Sequence, residues 1–282
     1  MRASVRQRIA GTTVLITGGA QGIGAQVARQ LVDHGARVAI LDRDIARANR
    51  LVGELGGAAA AFEADVTSVE SMTIACAAAA EHFGGLDAVV ANAGIPGPSA
   101  TVTVVDPSDW RAVIDVNLVG VFHTMATALP YLRQRRGYLL AVASIGAVIP
   151  GPTVSAYMAS KSGVESLVRS LRIELGGSGV DVGIGYFGLI DTGLAQEMLN
   201  RPGLGAVMAR LPGAVGKPIR VEVAAAQIVA GIARRARRVY APRWVPLLVD
   251  LRAPLVLGDR LLAWSPVMRR AVRAAEQGED GP

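Results

Sequence analysis

Along most of the chain, short apolar runs alternate with stretches of helical period. TVLIT (13–17), RVAILD (37–42), AAAFEAD (59–65), LDAVVAN (86–92), YLLAVAS (138–144), VDVGIGYF (180–187) and VYAP (239–242) read as strands. Between them, residues 22–34, 44–55, 68–83, 108–135, 155–175 and 221–236 carry helical spacing; in the first, Ile23, Val27 and Leu31 share a face that ends before Gly35. Strands that are apolar throughout belong in a parallel sheet covered on both faces. Right-handed crossovers then give a doubly wound α/β sheet of about seven strands. No repeat or linker divides residues 1–243, which read as one domain. Residues 244–282 differ: WVPLLVDLRAPLVLGDRLLAWSPVMRRAVRAA interleaves apolar groups with Arg, an amphipathic helical appendage.

Composition narrows the class. With 51% apolar and 18% charged residues in 282, a disordered chain is excluded. One cysteine, Cys76, forms no internal disulfide, and no Cys/His cluster offers a metal site, which fits a reducing, cytoplasmic setting. The basic start leads into a strand rather than a signal sequence, and the longest uncharged stretch, 137–160, is broken by Gly and Pro, so no transmembrane span is expected. The net charge of +6 is concentrated: segment 220–273 holds eleven Arg and three acids. Without an aromatic stacking platform this patch does not point to nucleic acid; solvated helix faces account for it as well.

Two local patterns carry chemistry. Strand 13–17 runs into Thr17-Gly18-Gly19-Ala20-Gln21-Gly22-Ile23-Gly24 and then a helix. Such a turn lets a pyrophosphate approach backbone amides at a helix N-terminus, with its positive dipole end. Asp42 closes the second strand, where a carboxylate accepts from adenosine-ribose hydroxyls and repels a 2′-phosphate; this favours NAD, whereas the adjacent Arg43 suits the 2′-phosphate of NADP. Second, Tyr157 and Lys161 stand four apart on a helix, hence on one face. A phenol of pKa about 10 is a poor base near neutrality, and an adjacent ammonium lowers it. Of 29 basic residues only Lys161 and Lys217 are lysines, so a lysine here is informative. Ser144 ends the strand thirteen residues upstream, where its hydroxyl projects toward a ligand crevice and donates to a carbonyl oxygen.

Together these residues resemble the short-chain dehydrogenase/reductase family, in its compact single-domain branch, over about residues 10–241. Thr17, Gly18, Gly22 and Gly24 match T-G-x-x-x-G-x-G, Asn92-Ala93-Gly94 matches the family's N-A-G, and Asn117, Ser144, Tyr157 and Lys161 match its catalytic tetrad. The resemblance implies a Rossmann-type fold and hydride transfer between a nicotinamide cofactor and a carbinol or carbonyl carbon. It implies cofactor contacts from Gly18, Gln21, Gly22, Ile23, Gly24, Asp42, Arg43, Asp65, Val66, Asn92, Ala93, Gly94, Tyr157, Lys161, Ile190 and Thr192. Tyr157 is then the acid or base, Ser144 orients the substrate oxygen, Lys161 tunes the phenol and holds the ribose, and Asn117 holds a relay water. By the same analogy the protein is a homodimer or homotetramer, paired through the helix beginning near 108 and the Tyr157 helix. One departure stands out: the family's Pro-Gly after the sixth strand is Phe187-Gly188 here.

Pocket walls in such proteins come from the segments here numbered 95–98, 145–153 and 193–215. The last holds Leu194, Met198, Leu199, Leu204, Val207, Met208 and Leu211, an apolar lid that suits a lipophilic alcohol or ketone. The appendage could rest on a membrane, with Trp244, Leu247, Leu248, Leu255, Leu257, Leu261, Leu262 and Trp264 inward and Arg252, Arg260, Arg269, Arg270 and Arg273 at the headgroups, or it could pack over the core, a subunit or the substrate mouth. Rival functions are a non-catalytic dinucleotide-binding regulator, an extended-type sugar epimerase or dehydratase, and a ketoreductase of carrier-bound acyl groups.

Overall fold

The computed structural model describes residues 4–149, 151–200, 216–253 and 264–277. Seven strands form one parallel sheet: β1 Thr13–Thr17, β2 Arg37–Asp42, β3 Ala59–Glu63, β4 Ala88–Ala91, β5 Tyr138–Val142, β6 Asp181–Phe187 and β7 Arg238–Ala241. Their order is β3-β2-β1-β4-β5-β6-β7, so the doubly wound expectation holds. The helices are α1 Val5–Ile9, α2 Gly22–Asp33, α3 Ile45–Leu55, α4 Val69–Phe83, α5 Pro107–Ile114, α6 Gly120–Arg135, α7 Ser155–Glu174, α8 Gly193–Leu199, α9 Val221–Arg234, α10 Val245–Asp250 and α11 Pro266–Gln277. Helix α1 went unread in the sequence; Ser4 and Gln7 close a capping box on it, and its Ile9 is fully buried.

Alternation along the strands builds two cores. Val14 and Ile16 of β1 point to the layer of α2, α3 and α9, while Leu15 between them points to the layer of α4, α6 and α7. Because β4 returns beside β1 after the chain has run outward to β3, the strand ends open a crevice between β1 and β4.

The single helix expected over 108–135 is interrupted. Asp115–Val119 winds as a π-helical turn between α5 and α6, and it turns Asn117 into the interior. The run Pro107–Arg135 is long and apolar enough to cross a membrane by length and composition alone. In this fold, Val113, Val121, Met125, Ala128 and Leu132 along it are buried.

The appendage does not stand apart from the core. Trp244 packs against the main cluster, Val245 and Val249 are buried in it, and α10 lies on the turn Ile145–Ala147. In α11, Ala271 and Ala275 are buried, and Glu276 accepts from the hydroxyls of Thr101 and Thr103. Leu247, Leu251 and Trp264 remain exposed. Leu255, Leu257, Arg260, Leu261 and Leu262 lie outside the described residues, as does the lid expectation beyond 200.

Candidate active site

The turn after β1 is shaped by contacts that only glycine permits. Gly18 and Gly22 adopt positive φ of 61° and 53°. A Cβ on Gly24 would lie 2.3 Å from the Gly18 carbonyl oxygen, so the first turn of α2 sits directly on the loop. No side chain caps α2, which leaves its leading amides to an outside acceptor. The loop is tied across the crevice: Asn92 Nδ2 donates to the carbonyls of Thr17 (3.1 Å) and Gly18 (3.0 Å), and the Asn92 amide donates to Thr17 Oγ1 at 3.1 Å. Gly18 also meets Ala93 closely. Asn92 and Ala93 therefore act through the loop's shape, while Gly94 lies beside Asn117 and the Lys161 ammonium.

Asp42, half-buried at the end of β2, is held by two backbone amides. Oδ2 accepts from Ala20 at 3.0 Å and Oδ1 from Asp44 at 3.0 Å. Each oxygen keeps a lone pair for a ribose hydroxyl. Arg43 is exposed, and its charge helps to hold the Asp65 carboxyl below its usual range, after the amide and hydroxyl of Thr67. Asp65 stands exposed beyond β3 and Val66 is buried; the Gln21 side chain meets Arg47, and Ile23 packs on the core. Thr192 caps α8, and its methyl faces Gly22, bringing the loop after β6 onto the glycine turn. Ile190 is buried and bridges to Ile219. An uncapped helix start, a turn open to close approach and a fixed carboxylate at the second strand form a donor and acceptor set that fits an adenine dinucleotide.

Past β5 stand the groups of the second pattern. Ser144 is buried; its Oγ accepts from the Gly146 amide at 3.1 Å, approaches the Phe187 carbonyl at 3.4 Å, and lies near enough to the Tyr157 phenol to lower its pKa. Lys161 is buried, with Nζ 5.6 Å from the centre of the Tyr157 ring and donating to the Val142 carbonyl at 3.2 Å. That leaves two of its three N–H donors for other partners.

The electrostatics depart from expectation in one respect. Burial pushes the Tyr157 phenol above its ordinary value, and the Ser144 hydrogen bond only partly offsets this. Burial also lowers Lys161 to about 8. Without ligand, desolvation outweighs the lowering expected from the ammonium.

Asn117 is buried in the π-helical turn beside the site. Its Nδ2 donates to the Ile95 carbonyl (2.9 Å) and approaches Ser160 Oγ (3.4 Å), and its Oδ1 accepts from the Ile95 amide (2.8 Å). Through these bonds the side chain fastens the segment after β4. Sequence reading missed two further features. Thr153, a β-branched residue, adopts φ 67° in the loop before α7, with Oγ1 2.9 Å from Ser99 Oγ. Gly188 is backed by Pro242 and Trp244, so the turn after Phe187 rests on the appendage.

The family description "short chain dehydrogenase" matches residues 12–202. A 3beta-hydroxysteroid dehydrogenase 1 of Eggerthella lenta is 37% identical over 230 residues, covering 77% of this chain and 85% of its own. An 11-beta-hydroxysteroid dehydrogenase 1A of Arabidopsis thaliana is 34% identical over 269 residues, 92% of this chain and 75% of its own. Among solved structures, a 3-ketoacyl-(acyl-carrier-protein) reductase from Brucella melitensis complexed with NADH superposes with a TM-score of 0.73 at 27% identity, over 83% of this chain and 97% of that one. With its glycine turn, its sheet order and the match over residues 12–202, the chain belongs to the short-chain dehydrogenase/reductase family, oxidoreductases that act on CH–OH groups with a nicotinamide dinucleotide.

Proposed function

We propose that the protein interconverts a lipophilic alcohol and its ketone or aldehyde, with Tyr157 as the acid–base group and Ser144, Lys161 and Asn117 completing the site. The observation that carries this reading is the Tyr157 ring with the Lys161 ammonium over its face at 5.6 Å and Ser144 beside it, next to the segment that ties down the glycine turn. Bound by the turn and Asp42, a nicotinamide dinucleotide supplies the hydride acceptor or donor. In oxidation Tyr157 takes the substrate's hydroxyl proton; in reduction it returns one to the carbonyl oxygen. Ser144 orients that oxygen, and the free donors of Lys161 hold a ribose and stabilise the phenolate. Asn117 keeps the segment after β4 in place. The carboxylate of Asp42 supports NAD over NADP.

A lipophilic substrate is supported by the walls around Ser144. Met158 fills the space over Gly146 and Gly151, and Ile145 and Val148 of the same loop pack on the core. Two relatives named for hydroxysteroids agree with this. An L-fucose dehydrogenase of Mus musculus at 32% identity keeps a sugar alcohol as the rival. The test is a panel of steroid, terpenoid, fatty and sugar alcohols and ketones, each with NAD and NADP, followed by nicotinamide absorbance. Turnover confined to sugars would overturn the substrate class, and no turnover with any pair would overturn the reading. Residence in the cytoplasm and assembly into a homo-oligomer belong to the same proposal.

A further inference from the structure

Away from the strand ends that carry the site, the second half of α7 and the start of β7 enclose a cavity of about 360 Å³. Its wall holds five guanidiniums: Arg169, Arg172, Arg237, Arg238 and Arg252. Two are matched by acids. Arg252 meets the buried Glu165 at 2.5 Å, and Arg238 meets Asp250 at 3.0 Å. Arg172 is committed to carbonyls, with Nε 2.7 Å from Val182 O and its Nη2 on Arg237 O. Arg169, Arg172 and Arg237 have no acid partner among the described residues.

Three guanidiniums without an acid partner around one pocket outweigh the single carboxylate of Glu165 that lines it, and give it a positive potential that favours an anion. Burial first, and then the charge of Arg237, hold the Arg172 pKa below its ordinary value, against an opposing contribution from Tyr186. Guanidiniums are planar forks suited to bidentate phosphate binding, which ammonium groups match less well. The volume is within the range of small-ligand sites. Ile173 on the wall is 82% exposed, and Leu251, beside Arg252, is exposed too, so the rim offers apolar contact as well as charge.

We infer that this cavity binds the phosphate group of an organic phosphate monoester, with Arg169 and Arg237 as its free ligands and Arg172 at its base. The phosphate can belong to a soluble ester or to a lipid headgroup whose chain lies along Ile173 and Leu251. None of its residues lines the glycine turn or touches Tyr157, so the site stands apart from the dehydrogenase chemistry, and it requires this part of α7 to stay open when subunits pair.

The test uses the full chain with NAD present, so that the glycine turn is taken, and compares it with the Arg169→Gln/Arg237→Gln variant. Both side chains are exposed, and the variant is expected to fold with an unchanged thermal midpoint in the absence of phosphate. Glycerol 3-phosphate is titrated by calorimetry against chloride at equal ionic strength, and flotation is run with phosphatidylcholine vesicles with and without phosphatidic acid. Binding of glycerol 3-phosphate weakened about tenfold or more in the variant supports a soluble ester. Flotation that needs phosphatidic acid and is lost in the variant supports a lipid source. No binding in either arm, or equal binding by variant and wild type, overturns the inference.

Discussion

At the scale of the residue, function rests on how burial sets protonation. Replacing Tyr157 by Phe removes the proton carrier without changing the packing around Ser144. Turnover is expected to fall by about three orders of magnitude, with NAD affinity, measured by fluorescence, within a few-fold of wild type. Turnover within tenfold of wild type would remove Tyr157 from the chemistry. Lys161 gives a pH prediction. Its folded value of about 8 lies below the unfolded 10.5, so its burial as an ammonium is a full cost below about pH 8. That cost is relieved as pH rises toward 10.5, where the amine is neutral in both states. Ligand-free Lys161→Met is therefore expected to be more stable than wild type at neutral pH by about 2 kcal/mol, after loss of the hydrogen bond to Val142. The difference should close by pH 10.5 in denaturant titrations; a gap independent of pH would contradict it. The residue types were legible in the sequence, the direction of the Tyr157 shift was not. Four-residue spacing puts a phenol and an ammonium on one face, but only the enclosing loops decide that desolvation prevails.

At the scale of the element, the strands were readable because each is an apolar run bounded by glycine or a charge, and their ends moved by only one or two residues. The glycine turn was readable too, since its backbone needs residues without Cβ. Gly24→Ala would drive a methyl group into the Gly18 carbonyl, at 2.3 Å before relaxation. We expect a loss of about 2–3 kcal/mol in stability together with at least tenfold weaker NAD binding, seen by thermal melts with and without cofactor. An alanine variant with wild-type affinity would show that the loop does not seat the dinucleotide. The π-helical turn was not readable, because Asp-Val-Asn-Leu-Val continues the helical pattern on either side. Its extra residue is visible only in the pairing of Asn117 with Ile95. Thr153 was hidden for the same reason: nothing in its type announces a left-handed backbone.

At the scale of the whole molecule, the amphipathic pattern after Pro242 revealed an apolar side but not what covers it. Part of the answer is the core itself, through Trp244, Val245 and Val249. The ion pair of Arg252 with Glu165 fastens this segment to α7. Arg252→Ala removes the ion partner of the buried Glu165 and leaves it only the other arginines of its pocket, at an expected cost of about 1–2 kcal/mol, read as a drop of a few degrees in thermal midpoint. Adding Glu165→Gln should recover much of the loss; a double variant no more stable than the single one would show that the pair is not what holds the segment. The sheet order has a wider meaning. Groups fitted to the dinucleotide's adenosine half come from β1 and β2, while those fitted to proton transfer come from β5 and α7, and the polypeptide passes between the halves once, after β3. Recombination with a relative at α4 should therefore transplant cofactor preference and substrate preference as separate inheritances. The crossover takes Thr17 from one parent and Asn92 from the other, so the seam would tolerate exchange only where both parents carry a threonine and an asparagine at these positions.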